Sequence, residues 1–242
     1  MPLPACANQP VPLPHPDLWR ASQISHENRA CLATGHAALS AELPGQGWPC
    51  GALIELLAPR PGIGEMHLLQ PALARLSGQR SVVLLQPPHM PNIASWKAWG
   101  LNPRQLLWLR PKTAIDAMWA ADQVLKAGSC AALLCWFPQI HADALRRLHG
   151  AAQSGDTLFV AMRPAEAARQ SSPATLRLAL QPAPGRMLLR FIKRRGPPRD
   201  APLYVRLHDS SQPAFAPVPH APVDRPTPTP AEPERFAPAL VG

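Results

Sequence analysis

Three short stretches of this chain, RSVVLLQPP (80–88), CAALLCWF (130–137) and TLFVAM (157–162), carry apolar runs with no alternating polar positions. A strand with one wet face alternates. A strand that does not alternate is buried on both faces, which requires a parallel sheet with helices on either side. The segments between fit that demand. Met66, Leu69, Leu73 and Leu76 predict a helix over 66–77, with Pro71 inside the pattern. NIASWKAWG (92–100) predicts a short helix closed by Gly100, and HADALRRLHGAAQSG a helix over 141–155. The clearest is TAIDAMWAADQVLKAG (113–128). Thr113 caps it, Asp116 completes a capping box, Ile115, Met118, Trp119 and Leu125 share a face, and Gly128 ends it. GALIELLA (51–58) and QLLWLR (105–110) add strands. After Ser171 the pattern changes. LRLALQ (176–181) and MLLRFIKRR (187–195), joined by PAPG, predict an antiparallel hairpin, with LYVRLH (203–208) as an edge strand. The expected fold class is α/β, a mostly parallel sheet flanked by helices, with an antiparallel β end.

The chain's 242 residues fit one core domain with extras at its ends. Residues 1–16 are Pro-rich and expected to be disordered or extended. Residues 210–242 hold nine prolines and are expected to form a flexible tail. The FAPAL near the end is either plain tail or a short docking segment. That leaves 17–209 as the core domain. No apolar run approaches the roughly 20 residues of a membrane span, and the N-terminus lacks a basic n-region and an apolar h-region. A cytoplasmic protein with no membrane partner is expected. The five cysteines are odd in number and form no CxxC, which disfavours zinc or a disulfide framework; Cys130 and Cys135 fit buried thiols. His36, His67, His89 and His149 are scattered, fit surface or loop positions, and show no HExxH spacing; GxSxG is absent. No metal or cofactor is expected.

The loop after the first long strand reads Pro61, Gly62, Ile63, Gly64, Glu65, Met66. This is where either an ordinary Gly/Pro turn of an α/β fold or a phosphate-binding loop would sit, the latter with backbone N–H groups at a helix N-terminus, a lysine for the β/γ-phosphates and a hydroxyl for magnesium. Here Glu65 replaces the lysine, so attraction becomes repulsion: about 4 kcal/mol for two unit charges about 4 Å apart at an effective dielectric of 20. Met66 offers no hard oxygen to magnesium, and Pro71 disturbs the helix whose dipole would face the phosphates.

The run ATGHAALSAELPGQGWPCGALIELLAPRPGIGE (33–65) resembles the RecA/RadA family. Thr34, Gly35, Leu39, Gly45, Gly47, Gly51 and Glu55 fall in the family's places, and residues 81–136 follow its order of elements. IKRRGPP (192–198) is similar to that family's basic Lys-Asn-Arg-Phe-Gly-Pro segment. The resemblance implies a RecA-like P-loop NTPase core, with a degenerate site. Where the family has a catalytic Glu this chain has Pro87 or Pro88, and where it has a magnesium-binding acid, Cys135 or Trp136. Four losses together imply a pseudo-ATPase. With the LWRAS start (18–22) and the KRRGPP hairpin, the chain is further similar to the ImuA family of translesion-synthesis accessory proteins, also described as SulA-like. That resemblance implies a DNA-damage (SOS) role. It also implies three partners: an ImuB-like Y-family polymerase homologue, RecA and an error-prone DNA polymerase.

Net charge is +9, concentrated late: residues 163–206 hold ten Lys/Arg against Glu166 and Asp200, whereas the first sixty hold three basic and four acidic residues. Arg186, Arg190, Lys193, Arg194, Arg195 and Arg199 cluster at the hairpin. They suit DNA phosphates, bound weakly and without sequence preference, or an acidic protein surface, or they are a basic solvent face. Phe191 and Tyr204 are the aromatic candidates for base stacking, and the hairpin tip has none. Trp96 and Trp99 on a short helix are the interface candidates. Three functions stay open: a non-catalytic adaptor in translesion synthesis, a cell-division inhibitor binding a filament-forming GTPase, and an atypical ATPase.

Overall fold

The structure, a computed structural model, describes residues 30–207 apart from Ser77 and Gln79. The Pro-rich segments 1–16 and 210–242, the LWRAS start and FAPAL lie outside the described residues.

Each uniformly apolar run becomes a strand covered on both faces. In chain order the strands are β1 (Cys31–Ala33), β2 (Gly47–Pro49), β3 (Ala52–Ala58), β4 (Ser81–Leu85), β5 (Leu106–Leu109), β6 (Cys130–Trp136), β7 (Leu158–Pro164), β8 (Leu176–Ala183), β9 (Arg186–Lys193) and β10 (Leu203–Arg206). Eight of them build one sheet in the order β10-β9-β8-β3-β7-β6-β4-β5. Pairing is parallel from β8 through to β5 and antiparallel from β8 to β9 and from β9 to β10. β1 and β2 form a separate antiparallel pair.

The helices are α1 (Ala37–Glu42), α2 (Glu65–Leu76), α3 (Ile93–Ala98), α4 (Ala114–Ala127) and α5 (Ala142–Ala152). One face of the sheet packs Ile54, Leu56, Val82, Leu84, Leu134 and Val160 against α1, α2 and α3 through Leu39, Leu68, Leu69, Leu73 and Trp96. The other packs Leu53, Val83, Leu85, Leu133 and Phe159 against α4 and α5 through Ala117, Ala121, Leu125, Leu145 and Leu148. Alternate residues of one strand therefore enter different cores, which is why β4, β6 and β7 read as nearly unbroken apolar runs.

The α4 boundaries match the capping pattern. Thr113 Oγ1 accepts the Asp116 N–H at 3.1 Å, and Gly128 closes the helix at φ 60°. The expected shared face is different. Leu125 is buried, but Ile115 is 73 % exposed and Trp119 66 % exposed. The inward stripe runs through Ala117 and Ala121, whose small side chains let the helix approach the sheet closely. Pro71 does not break α2, which continues to Leu76. Its ring is a contact instead: a Cβ on Gly35 (φ 82°) would lie 2.2 Å from Pro71 Cβ, so the Thr34–Gly35 turn seats directly on the helix. Beside it a ring nitrogen of His36 bonds the Leu68 carbonyl at 3.1 Å. His149 also ties elements together, its Nδ1 accepting the Leu53 N–H at 3.2 Å. Both histidines are structural ties, not scattered surface groups.

At the centre of the sheet sits a buried ion cluster. Glu55 on β3 is 0 % exposed. Its carboxylate accepts Arg163 Nη1 from β7 at 2.7 Å and Arg177 Nε from β8. Arg163 also donates to Gln170 Oε1 at 2.7 Å, and Arg177 donates to the Ala167 carbonyl at 2.7 Å and the Gln170 carbonyl at 3.1 Å. One carboxylate thus holds two guanidiniums, and carbonyl oxygens take up further donors, while Arg163 Nε has no acceptor among the described residues. Removing one member of such a cluster leaves uncompensated buried charge. Glu55→Ala is expected to destabilise the fold by about 3–5 kcal/mol in urea unfolding, with Glu55→Gln also strongly destabilised. A loss below about 1 kcal/mol would show that the two arginines find other acceptors.

Candidate functional site

β3 ends at Ala58, and residues 59–64 turn into α2. Two glycines make the turn, Gly62 at φ 80° and Gly64 at φ 115°, values that side-chain-bearing residues rarely adopt. The turn leaves backbone N–H groups pointing inward at the positive end of a helix, the arrangement that cradles phosphate in nucleotide-binding folds. Here those donors are already engaged. Glu65, first residue of α2 and nearly buried, folds its carboxylate back into the loop. Oε1 accepts the Gly62 N–H at 2.7 Å and Oε2 accepts the Gly64 N–H at 3.2 Å. Glu65 therefore supplies both loop donors with an acceptor from the chain itself, where a phosphate sits in nucleotide-binding folds. Met66 belongs to the first turn of α2 and packs on the core, outside the loop proper.

The β end braces this loop. A Cβ on Gly64 would stand 2.7 Å from Leu207 Cδ1 and 3.2 Å from Met187 Cε. The loop conformation and the arrival of β9 and β10 are thus mutually dependent.

A cavity of about 440 Å³ opens over the carboxyl ends of the parallel strands, where ligands of open α/β sheets sit. Its wall includes Leu56 and Ala58 from β3, Trp136 from β6, Met162 from β7 and Leu180 from β8, with Pro61 and Glu65 from the loop. The residue reaching it from the end of β4 is Gln86, held at φ 52°. This is an amide one position before Pro87, where the sequence comparison looked for a carboxylate. Trp136 and Phe137 stand at the end of β6. Arg60 lies at the wall and Arg163 beneath it, the latter committed to Glu55. Trp136 Nε1 and Arg163 Nε are buried donors without an acceptor among the described residues. A nucleoside triphosphate with magnesium does not fit this set: the loop donors are filled, no lysine or hydroxyl stands at the loop, and the wall is mainly hydrocarbon.

The basic residues of the β end divide into two groups. Lys193 Nζ donates to the Ser172 carbonyl at 3.1 Å. Arg194 donates to Glu42 Oε2 at 3.0 Å, lies 5.2 Å over the Phe191 ring, and shares Glu42 with Arg199. These three fasten the β end to the core and are not a free phosphate-binding cluster. Arg186, Arg190 and Arg195 are exposed. Of the interface candidates, Trp96 is 4 % exposed and belongs to the core, while Trp99 packs edge-to-face on His67 at 4.8 Å. Among the described residues, the exposed tryptophan is Trp119. Sequence reasoning missed Glu42 and Glu55 as ionic anchors. The visible signal for Glu55 was a lone acid inside LIELL, paired with a lone arginine inside LRLAL.

Among the described residues no helix is long and apolar enough to cross a membrane. No group of His, Cys, Asp and Glu side chains there is placed to hold a metal ion.

No protein-family profile matches the chain. Its sequence is similar to that of the cell division inhibitor SulA of Edwardsiella piscicida, with 31 % identity over 103 residues, covering 42 % of this chain and 61 % of the relative. The SulA of Photorhabdus laumondii is 27 % identical over 112 residues, 46 % of this chain and 63 % of the relative. That of Yersinia pestis is 31 % identical over 99 residues, 40 % and 59 % respectively. The chain spans about three-fifths of the length of these curated relatives. The likeness to SulA is distant and partial, and it does not reach the ImuA family, which rests on the motifs alone.

Glu65→Ala leaves the Gly62 and Gly64 N–H groups without their acceptor. A loss of about 1–2 kcal/mol in stability is expected, with amide exchange at the two glycines faster by about tenfold or more. Unchanged exchange at both would show that the carboxylate does not close the loop.

Proposed function

We propose that this chain is a non-catalytic, RecA-like scaffold that works by binding other proteins, and that it acts as a SulA-like inhibitor of cell division directed at a filament-forming GTPase. The observation that carries the non-catalytic part is the Glu65 carboxylate seated on the loop donors. A triphosphate would have to expel this internal anion and bring several charges into an apolar cavity, a steep desolvation cost. The rest of the wall supports the same reading. The Gln86 amide cannot accept a proton from an attacking water, and Trp136 and Phe137 offer no oxygen to magnesium. The mostly parallel sheet with its Gly-rich turn between β3 and α2 supports a RecA-like core. The similarity to SulA supports the division reading.

A second reading is favoured by a specific fact: more than half of this chain lies outside the SulA match. With the RecA/RadA-like run over 33–65, this supports an adaptor in DNA-damage-induced translesion synthesis. Such an adaptor would join an ImuB-like Y-family polymerase homologue, RecA and an error-prone DNA polymerase.

Calorimetric titration with magnesium-ATP is expected to give no binding up to millimolar nucleotide for the wild type; micromolar affinity would overturn the non-catalytic reading. Co-sedimentation and pull-down separate the two partner readings. Retention by the division GTPase, with loss of its filaments, supports the inhibitor. Retention by RecA or the ImuB-like protein, without the GTPase, replaces it with the adaptor.

A further inference from the structure

The sheet is covered unevenly. Across β8, β9 and β10, alternate residues Leu178, Leu180, Met187, Leu189, Leu203 and Val205 enter the core shared with α2. The residues between them point to the opposite face, where α4 and α5 cover the far strands. No described helix packs over β9 and β10 on that side. The open face carries Arg186, Leu188, Arg190 and Ile192 on β9 and Tyr204 and Arg206 on β10. All are exposed except Leu188, which is half-buried, and Tyr204 is 52 % exposed.

Register places these groups together. Arg206 lies directly opposite Arg186, and Tyr204 directly opposite Leu188. Arg190 follows Arg186 by four residues on the same face, about 13 Å along the strand. Like charges directly opposite one another destabilise a sheet unless an anion stands between them. None of the three arginines has an acceptor among the described residues, in contrast to Lys193, Arg194 and Arg199. Asp200 is the one acid between residues 167 and 207. The face is thus three free guanidiniums around one exposed phenol ring, on a flat apolar ground of Leu188 and Ile192.

We propose that this open face of β9 and β10 binds single-stranded nucleic acid, with Arg186, Arg190 and Arg206 on phosphates and Tyr204 stacked on a base. Charge complementarity selects a polyanion. The ring selects one whose π-faces are free, and a pleated sheet presenting an aromatic among arginines is how single strands are commonly held. A duplex hides its base faces inside the stack, and an acidic peptide has no base to lay on Tyr204. The site keeps Arg186 and Arg190 of the cluster that the sequence singled out, replaces Lys193, Arg194 and Arg199 with Arg206 through strand register, and goes beyond the protein-binding reading above.

The test is fluorescence anisotropy of the full chain with labelled dT20 and rU20, with the matching duplex and polyglutamate as competitors. Either oligonucleotide binding supports the proposal, and their ratio identifies the source. The expected slope of log K against log salt is about −2, from three phosphates on a single strand. R186Q/R190Q/R206Q is expected to abolish binding with unchanged melting temperature, because all three side chains are exposed. Tyr204→Ala is expected to weaken it about tenfold, and Tyr204→Phe to keep it. The proposal is overturned by any of four results: no binding to either oligonucleotide, full affinity in the triple variant, equal competition by duplex, or equal competition by polyglutamate. These outcomes are independent of nucleotide titration and of retention by a division or polymerase partner.

Discussion

A single buried carboxylate joins the two halves of this sheet. Glu55 lies on β3, the strand between the parallel half and the β end, and it holds Arg163 from one neighbour and Arg177 from the other. Buried charge is a poor source of net stability but a strong specifier, since a misplaced partner leaves an ion unpaired in a dry site. A one-residue slip of β8 would turn Arg177 to the opposite core and abandon Glu55. The cluster therefore helps fix the register of β8, which runs parallel to β3. That sets the direction of β9 and β10, which bring Met187 and Leu207 against Gly64. The shape of the loop at one end of the sheet thus depends on an ion cluster at its centre.

The loop itself keeps the backbone of an anion site and supplies the anion from its own chain. Two N–H groups at a helix N-terminus would otherwise be costly to leave without acceptors. Glu65 satisfies both, at the position where a lysine would instead require an external phosphate to complete the turn. A carboxylate from its own chain makes this loop self-sufficient. What remains above it is a mainly apolar cavity, suited to packing better than to phosphate chemistry.

The layered sheet was legible because burial on both faces leaves an unmistakable trace, runs such as CAALLCW without a polar position. The α4 caps were legible because Thr113, Asp116 and Gly128 act locally. What escaped the sequence was everything that depends on distant partners. β1 and β2 have three residues each and exist by pairing with one another, too short to show a period. Arg194 and Arg199 read as free charge, because Glu42 lies 152 and 157 residues away. Trp119 and Trp96 exchanged roles for a packing reason. Periodicity locates an apolar stripe on α4, but alanines make the closest contact with the sheet and push the larger side chains outward. At the loop, the identity of Glu65 was plain and its direction was not. A charge facing solvent and a charge folded onto two amides are the same letter.

The late excess of positive charge resolves into three uses that composition cannot separate. Arg163 and Arg177 are spent inside the sheet, and Lys193, Arg194 and Arg199 fasten the β end to its surroundings. Arg169, Arg186, Arg190, Arg195 and Arg206 remain exposed, and of these strand register aligns Arg186, Arg190 and Arg206 on one uncovered face. Because β8 runs parallel to β3, the end of β8, the start of β9 and the end of β10 all lie at the carboxyl edge of the parallel strands. Arg186 and Arg206 therefore stand at the same edge as the self-closed loop, and Leu207, the next residue after β10, touches it. A polyanion drawn along the open face would pull on the strand that braces Gly64. One peptide bond joins Arg206 to Leu207, and a van der Waals contact joins Leu207 to the loop.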